Sequence, residues 1–131
     1  MTEPRVQLGE LLGELAAAAE LDVNVADAPT SGAAFAAPAL IVRPDNPWRQ
    51  PQAPTKAMPF AHIAEGYAVV AVVHAGDPAS SVDQLRAMVR LVEDAQDGGP
   101  WRWIETTGIV QITEGGIDYL GSTVRMQYLE G

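Results

Sequence analysis

The chain has 131 residues, a length that one domain with its own hydrophobic core accommodates. It carries 17 acidic against 8 basic residues, a net charge of −9, and its basic residues are scattered, which argues against clamping nucleic-acid phosphates. There is no cysteine, which excludes a disulfide scaffold, thiolate zinc sites and cysteine nucleophiles and fits a reducing, cytoplasmic compartment.

The first residues, MTEPRVQLGELL, lack the basic start and apolar centre of a signal peptide, and no apolar run reaches membrane-spanning length. The expectation is a protein in solution that uses no membrane. The acidity is explained by solubility alone, or by a surface past which nucleic acid slides without being held.

Residues 5 to 21 predict an amphipathic helix, with Leu8, Leu11, Leu12, Leu15, Ala18 and Ala19 on one face, Glu10 and Glu14 opposite, and Pro4 at a tolerated start. Gly9 and Gly13 lie near its polar face. They mark a close subunit contact, or they weaken an exposed surface by about 1 kcal/mol each relative to alanine. Asp22 to Pro38 reads as a mostly irregular connection with a short extended piece over Val23 to Ala26, and Ala39 to Arg43 as a strand.

Pro44 to Pro59, PDNPWRQPQAPTKAMP, holds five of the ten prolines. Proline cannot donate to a helix or ladder, so the spacing predicts an extended loop or arm over 44–60. Such an arm packs on a neighbour or folds back on its own domain. Trp48, Arg49, Lys56, Met58 and Phe60 are its candidate contact residues.

Gly66 to Gly99 is the stretch around which the remainder is organised. Tyr67 to Ala75, YAVVAVVHA, is apolar at both parities and predicts a strand covered on both sides. Gly76, Asp77 and Pro78 break it. Ser81-Val82-Asp83-Gln84 has the form of a capping box, predicting a helix that starts there and ends at Gly98-Gly99. Val82, Leu85, Met88, Val89 and Val92 share its core arc, with Arg86, Arg90 and Asp94 opposite.

Trp101 to Thr106 alternates as a strand with Trp101 and Trp103 on one side, and these two are further candidate subunit or partner contacts. Ile109 to Thr113 is a strand, Gly115-Gly116 a hairpin turn, and Ile117 begins the return. Gly121 marks a bulge or kink, and Thr123 to Leu129 alternates as a half-buried strand. The order predicts a single α+β domain over 1–131. Its expected form is one mainly antiparallel four- or five-stranded sheet, with both amphipathic helices on one face and a long Pro-rich arm.

Reactive constellations are missing. His62 and His74 have no partner at metal-ligand spacing, and only His74 is near a carboxylate, Asp77. Ser80 and Ser81 are explained by the helix start, and no phosphate-binding glycine loop is present. Asp77 with Asp83, and Glu93, Asp94 and Asp97, read as a loop and a solvated helix face. The expectation is no enzyme: no catalytic residue, no metal site and no cofactor.

The order of elements resembles the tail terminator proteins of long-tailed bacteriophages. The likeness rests on the amino-terminal helix, the strand leading to a Pro-rich excursion, the strand Tyr67 to Ala75, the helix SSVDQLRAMVRLVEDA and the closing GGIDYLGSTVRMQYLE. It implies a structural virion protein, assembled in the host cytoplasm. Such a protein forms a ring, commonly a hexamer, that caps the tail tube, ends its polymerisation and meets the head-tail connector. Its partners are other copies of itself, the tail tube protein and the connector, while DNA passes through without specific binding. Another head-tail joining or tail completion protein, a cellular adaptor or ligand-binding domain, and a small enzyme using His62 or His74 with Asp77 are the alternatives.

Overall fold

The structure is a computed structural model that describes residues 4–27, 37–52, 62–98 and 101–130. Helix α1 spans Pro4–Ala18, strand β1 Asn24–Asp27, β2 Ala39–Gln52 and β3 His62–His74. Helix α2 spans Pro78–Asp94 and continues into a 3₁₀ turn, Ala95–Gly98; β4 is Trp101–Thr106, β5 Val110–Glu114 and β6 Ile117–Glu130. The six strands of the described residues form one mixed sheet in the order β1-β2-β3-β6-β4, with β5 also on β6. The class is α+β, with one strand more than the sequence predicts and a parallel pair, β1 on β2.

The apolar middle of the sequence becomes the middle of the sheet. Residues 64–73 of β3 are all buried, and β3 pairs with β6 without a register break from Ile63↔Glu130 to His74↔Tyr119. Side chains of alternate parity then separate into two layers. Leu40, Val42, Tyr67, Val69, Ala71, Val73, Val124 and Met126 pack under both helices, against Leu8, Leu12 and Ala16 of α1 and Leu85, Met88, Leu91 and Val92 of α2. On the other face Ala39, Ile41, Val70, Val72 and Tyr119 form a smaller cluster joined by Ala37 and Ile112.

The sequence expectation for 44–60 is corrected over its first half. Residues 44–52 continue β2, pairing with β3 as Pro44↔Tyr67 and then Arg49↔Glu65 to Gln52↔His62, with the register shifting between Pro44 and Arg49. Two features let prolines sit in a strand here. β1 pairs only as far as Val42, so among the described residues this half of β2 has a neighbour on one side. The register break adds residues with no ladder obligation. Lys56, Met58 and Phe60 lie outside the described residues.

Both helix boundaries move. Helix α1 ends earlier than predicted, in a Schellman motif: Leu21 N–H donates to Ala16 O (2.9 Å) and Glu20 N–H to Ala17 O (3.1 Å). The left-handed residue this motif needs is Glu20, at φ 57°. Glycine adopts that conformation without a Cβ penalty, so Glu20→Gly is expected to stabilise the fold by about 0.5–1 kcal/mol, read as a rise in the urea midpoint.

Helix α2 starts three residues before the predicted box, with Asp77 as N-cap and Pro78 in the first turn. Ser81 N–H donates to Asp77 O (2.9 Å), so Ser81 is already inside the helix. Its hydroxyl donates to the His74 carbonyl (2.8 Å), tying helix to strand, and Ser80 Oγ donates to Asp77 Oδ2 (2.9 Å).

At the other end of the sheet, β4 and β5 lie end to end along the same edge of β6. The junction is Thr107, whose N–H donates to Thr123 O (2.9 Å) and whose carbonyl accepts from Ser122 Oγ (2.8 Å). Gly115 and Gly116, at φ 58° and 76°, make the tight turn from β5 to β6. Gly121 marks no bulge: it pairs in register with Val72 on one side and Val110 on the other.

Candidate functional site

The two tryptophans expected to act together are separated. Trp101 is buried, at 5% exposure, its ring edge-on to Tyr67 (5.8 Å, 78°) and tilted against Tyr128 (5.1 Å). That geometry makes it a core anchor for the β4 end of the sheet. Trp103 is 41% exposed. Its indole N–H donates to Thr106 Oγ1 (3.0 Å), and that hydroxyl donates to Glu93 Oε2 on α2 (2.6 Å). Of the pair, Trp103 has a ring face free to meet a partner. Trp48 and Arg49 are placed on the β2 backbone; their side chains, like Lys56, Met58 and Phe60, lie outside the described residues.

Beneath Trp101, the Tyr67 hydroxyl donates to Glu65 Oε2 (3.1 Å), and both residues are buried. Sequence reasoning passed over Glu65 because it precedes the apolar run.

The small-enzyme grouping does not assemble around His74. Its ring is stacked on Tyr119 (5.3 Å, 29°), the Asp77 carboxylate receives Ser80, and the Ser81 hydroxyl goes to a backbone carbonyl. No relay links the three side chains. The side chain of His62 lies outside the described residues. Among the described residues no group of three or more His, Asp or Glu is placed to hold a metal, and no helix is long and apolar enough to cross a membrane.

Surface contacts are a different matter. Ile109, Val110 and Ile117 are 49%, 55% and 41% exposed. Val110 and Ile117 have the same strand parity as Ile112 and Tyr119, which places them on the sheet face away from the helices. Exposed aliphatics along one hairpin offer a surface for contact.

On the helix side, a groove of about 670 Å³ runs between the end of α1 and the middle of α2. Leu15, Ala18, Leu21, Ala87 and Leu91 line its floor, beside Arg86 and Arg90. Sequence periodicity placed Arg86 and Arg90 on a wet face; what it could not show is that this face borders an apolar trough.

Arg125 is the electrostatic link across the sheet, with Nε 2.7 Å from Asp45 Oδ2 and Nη1 2.8 Å from Glu105 Oε1. Its hydrogen bonds to Glu105 and then Asp45 raise its already high pKa, so it stays charged. Arg125→Met is expected to cost roughly 1 kcal/mol, a loss that shrinks as salt is added because the pair is partly exposed. Urea titrations at low and high ionic strength check it.

No protein-family model matches the chain, and no curated protein sequence matches it.

Proposed function

We propose that this chain is a structural subunit of a phage virion: a tail terminator protein that assembles into a ring, caps the tail tube, ends its polymerisation and meets the head-tail connector. The observation that carries the proposal is a pair of unlike contact surfaces. The exposed aliphatics of the β5–β6 hairpin lie on one sheet face and the α1/α2 groove on the other. A subunit with two different surfaces makes head-to-tail contacts, and these close into rings when the rotation allows.

The element order that resembles tail terminators supports the same reading. The net charge of −9 suits a channel whose wall repels DNA and lets it slide. In this reading there is no substrate or cofactor.

The test is assembly. Native mass measurement over a range of concentrations is expected to show a closed oligomer, commonly six copies, and adding the protein to polymerising tail tube protein is expected to shorten the tubes. A ring that joins tube to connector while leaving tube growth unchanged would place it among other head-tail joining proteins. A chain that stays monomeric with and without tube protein refutes the proposal.

A further inference from the structure

We infer that the α1/α2 groove is the seat for helix α1 of a second copy of this chain, held by Glu10 and Glu14 of that copy on Arg86 and Arg90. This deepens the ring reading above and rests on it.

The first observation is an unmatched cation pair. Arg86 and Arg90 are exposed, and among the described residues their side chains take part in no ion pair or hydrogen bond. In a chain with so few basic residues, two guanidiniums one helical turn apart, about 6 Å along the axis, stand beside an apolar trough. Asp83 and Asp94 sit on the same wall, one turn outside the arginines at either end. The wall therefore reads minus, plus, plus, minus along its length. An occupant must bring two acids one turn apart, with uncharged residues on both sides of them.

Helix α1 meets that description. Its outward stripe is Val6, Glu10, Gly13, Glu14 and Ala17, the face opposite Leu8, Leu12 and Ala16. Glu10 and Glu14 are exposed, and among the described residues their side chains also take part in no ion pair or hydrogen bond. They have the same one-turn spacing, and the uncharged Val6 and Ala17 flank them one turn out. Val6 is a large aliphatic left 37% exposed. A Cβ added at Gly13 would meet nothing within 4 Å, so a neighbour can approach the helix backbone there. The stripe and the groove are different surfaces, so the contact is head-to-tail.

The absence of cysteine makes the test clean. Full-length Gly13→Cys and Ala87→Cys variants, mixed and oxidised, are expected to give a disulfide-linked dimer that neither variant gives alone. In native mass measurements, R86E/R90E and E10R/E14R should each raise the dissociation constant of assembly at least ~10-fold, and combining all four in one chain should restore it. Circular dichroism should stay native throughout, because all four positions are exposed.

If the wild-type chain assembles and both reversals leave assembly unchanged, this contact is wrong and the ring stands. If the reversals spare assembly but abolish binding of tail tube protein, the groove belongs to that partner and the inference is overturned. If the wild-type chain stays monomeric with and without tube protein, both proposals fall together.

Discussion

Leu85→Ala is expected to destabilise the fold by about 3 kcal/mol, with the melting temperature falling by roughly 10 °C. Leu85 is fully buried on the core arc of α2, in the cluster that joins both helices to β3 and β6. Removing its branched end costs the transfer free energy of the lost carbons and leaves a void that a close-packed layer between sheet and helix fills poorly. Gln84, its exposed neighbour on the same helix, supplies the control. Gln84→Ala should change stability by less than about 0.5 kcal/mol, so the difference measures burial and not helix propensity.

Gly121→Val is the second large effect, expected at about 2–3 kcal/mol through overpacking. Gly121 is hemmed in by strands on both sides. A Cβ at this position would lie 2.5 Å from Ile112 Cδ1 and 3.4 Å from the Ala71 carbonyl oxygen. The Ile112 contact is with the movable end of a side chain, so Gly121→Ala should be milder, at about 1 kcal/mol. Shortening the clashing partner with Ile112→Val should recover part of that loss. Valine adds further methyls that face the backbone as well, and no single compensating change relieves them. Denaturant unfolding of the two single variants and the double variant gives the coupling directly.

The sequence showed most where apolar pattern alone decides the outcome. The composition of Tyr67 to Ala75 favours a covered strand over a short buried helix, and Tyr67 to Val73 is the buried centre of β3. Most of the α2 core arc is legible too: Leu85, Met88, Val89 and Val92 pack into the core as helical periodicity predicts, while Val82 is only half-buried and Leu91, outside the predicted arc, is buried.

Two readings failed for a shared reason, since each applied a local rule without its setting. Proline spacing predicts a loop over 44–60, yet residues 44–52 pair on one side and slip register, conditions visible only once the pairing of β1 with β2 is known to end at Val42. The box pattern predicts Ser81 as a helix cap, yet Asp77 and Pro78, four and three residues earlier, start the helix and free Ser81 to bind the His74 carbonyl.

The candidate contacts were the least legible. Trp101 and Trp103 share a strand parity, but Tyr67 and Tyr128 bury the first and leave the second facing out. The groove beside Arg86 and Arg90 needs α1 and α2 side by side, which no spacing in either helix encodes.

Strand β6 is the sole described partner of β4 and β5 and one of the two described partners of β3, and it follows all of them in sequence. During synthesis, therefore, Tyr67 to Val73 emerges well before the strand that shields one side of it. A nascent chain carries an unguarded apolar ribbon, β-branched and free of proline, for as long as translation takes to reach Glu130, and such ribbons are where chains stick to one another. The same strand that makes the finished sheet cooperative thus makes the unfinished one dependent on speed of completion or on a chaperone's cover.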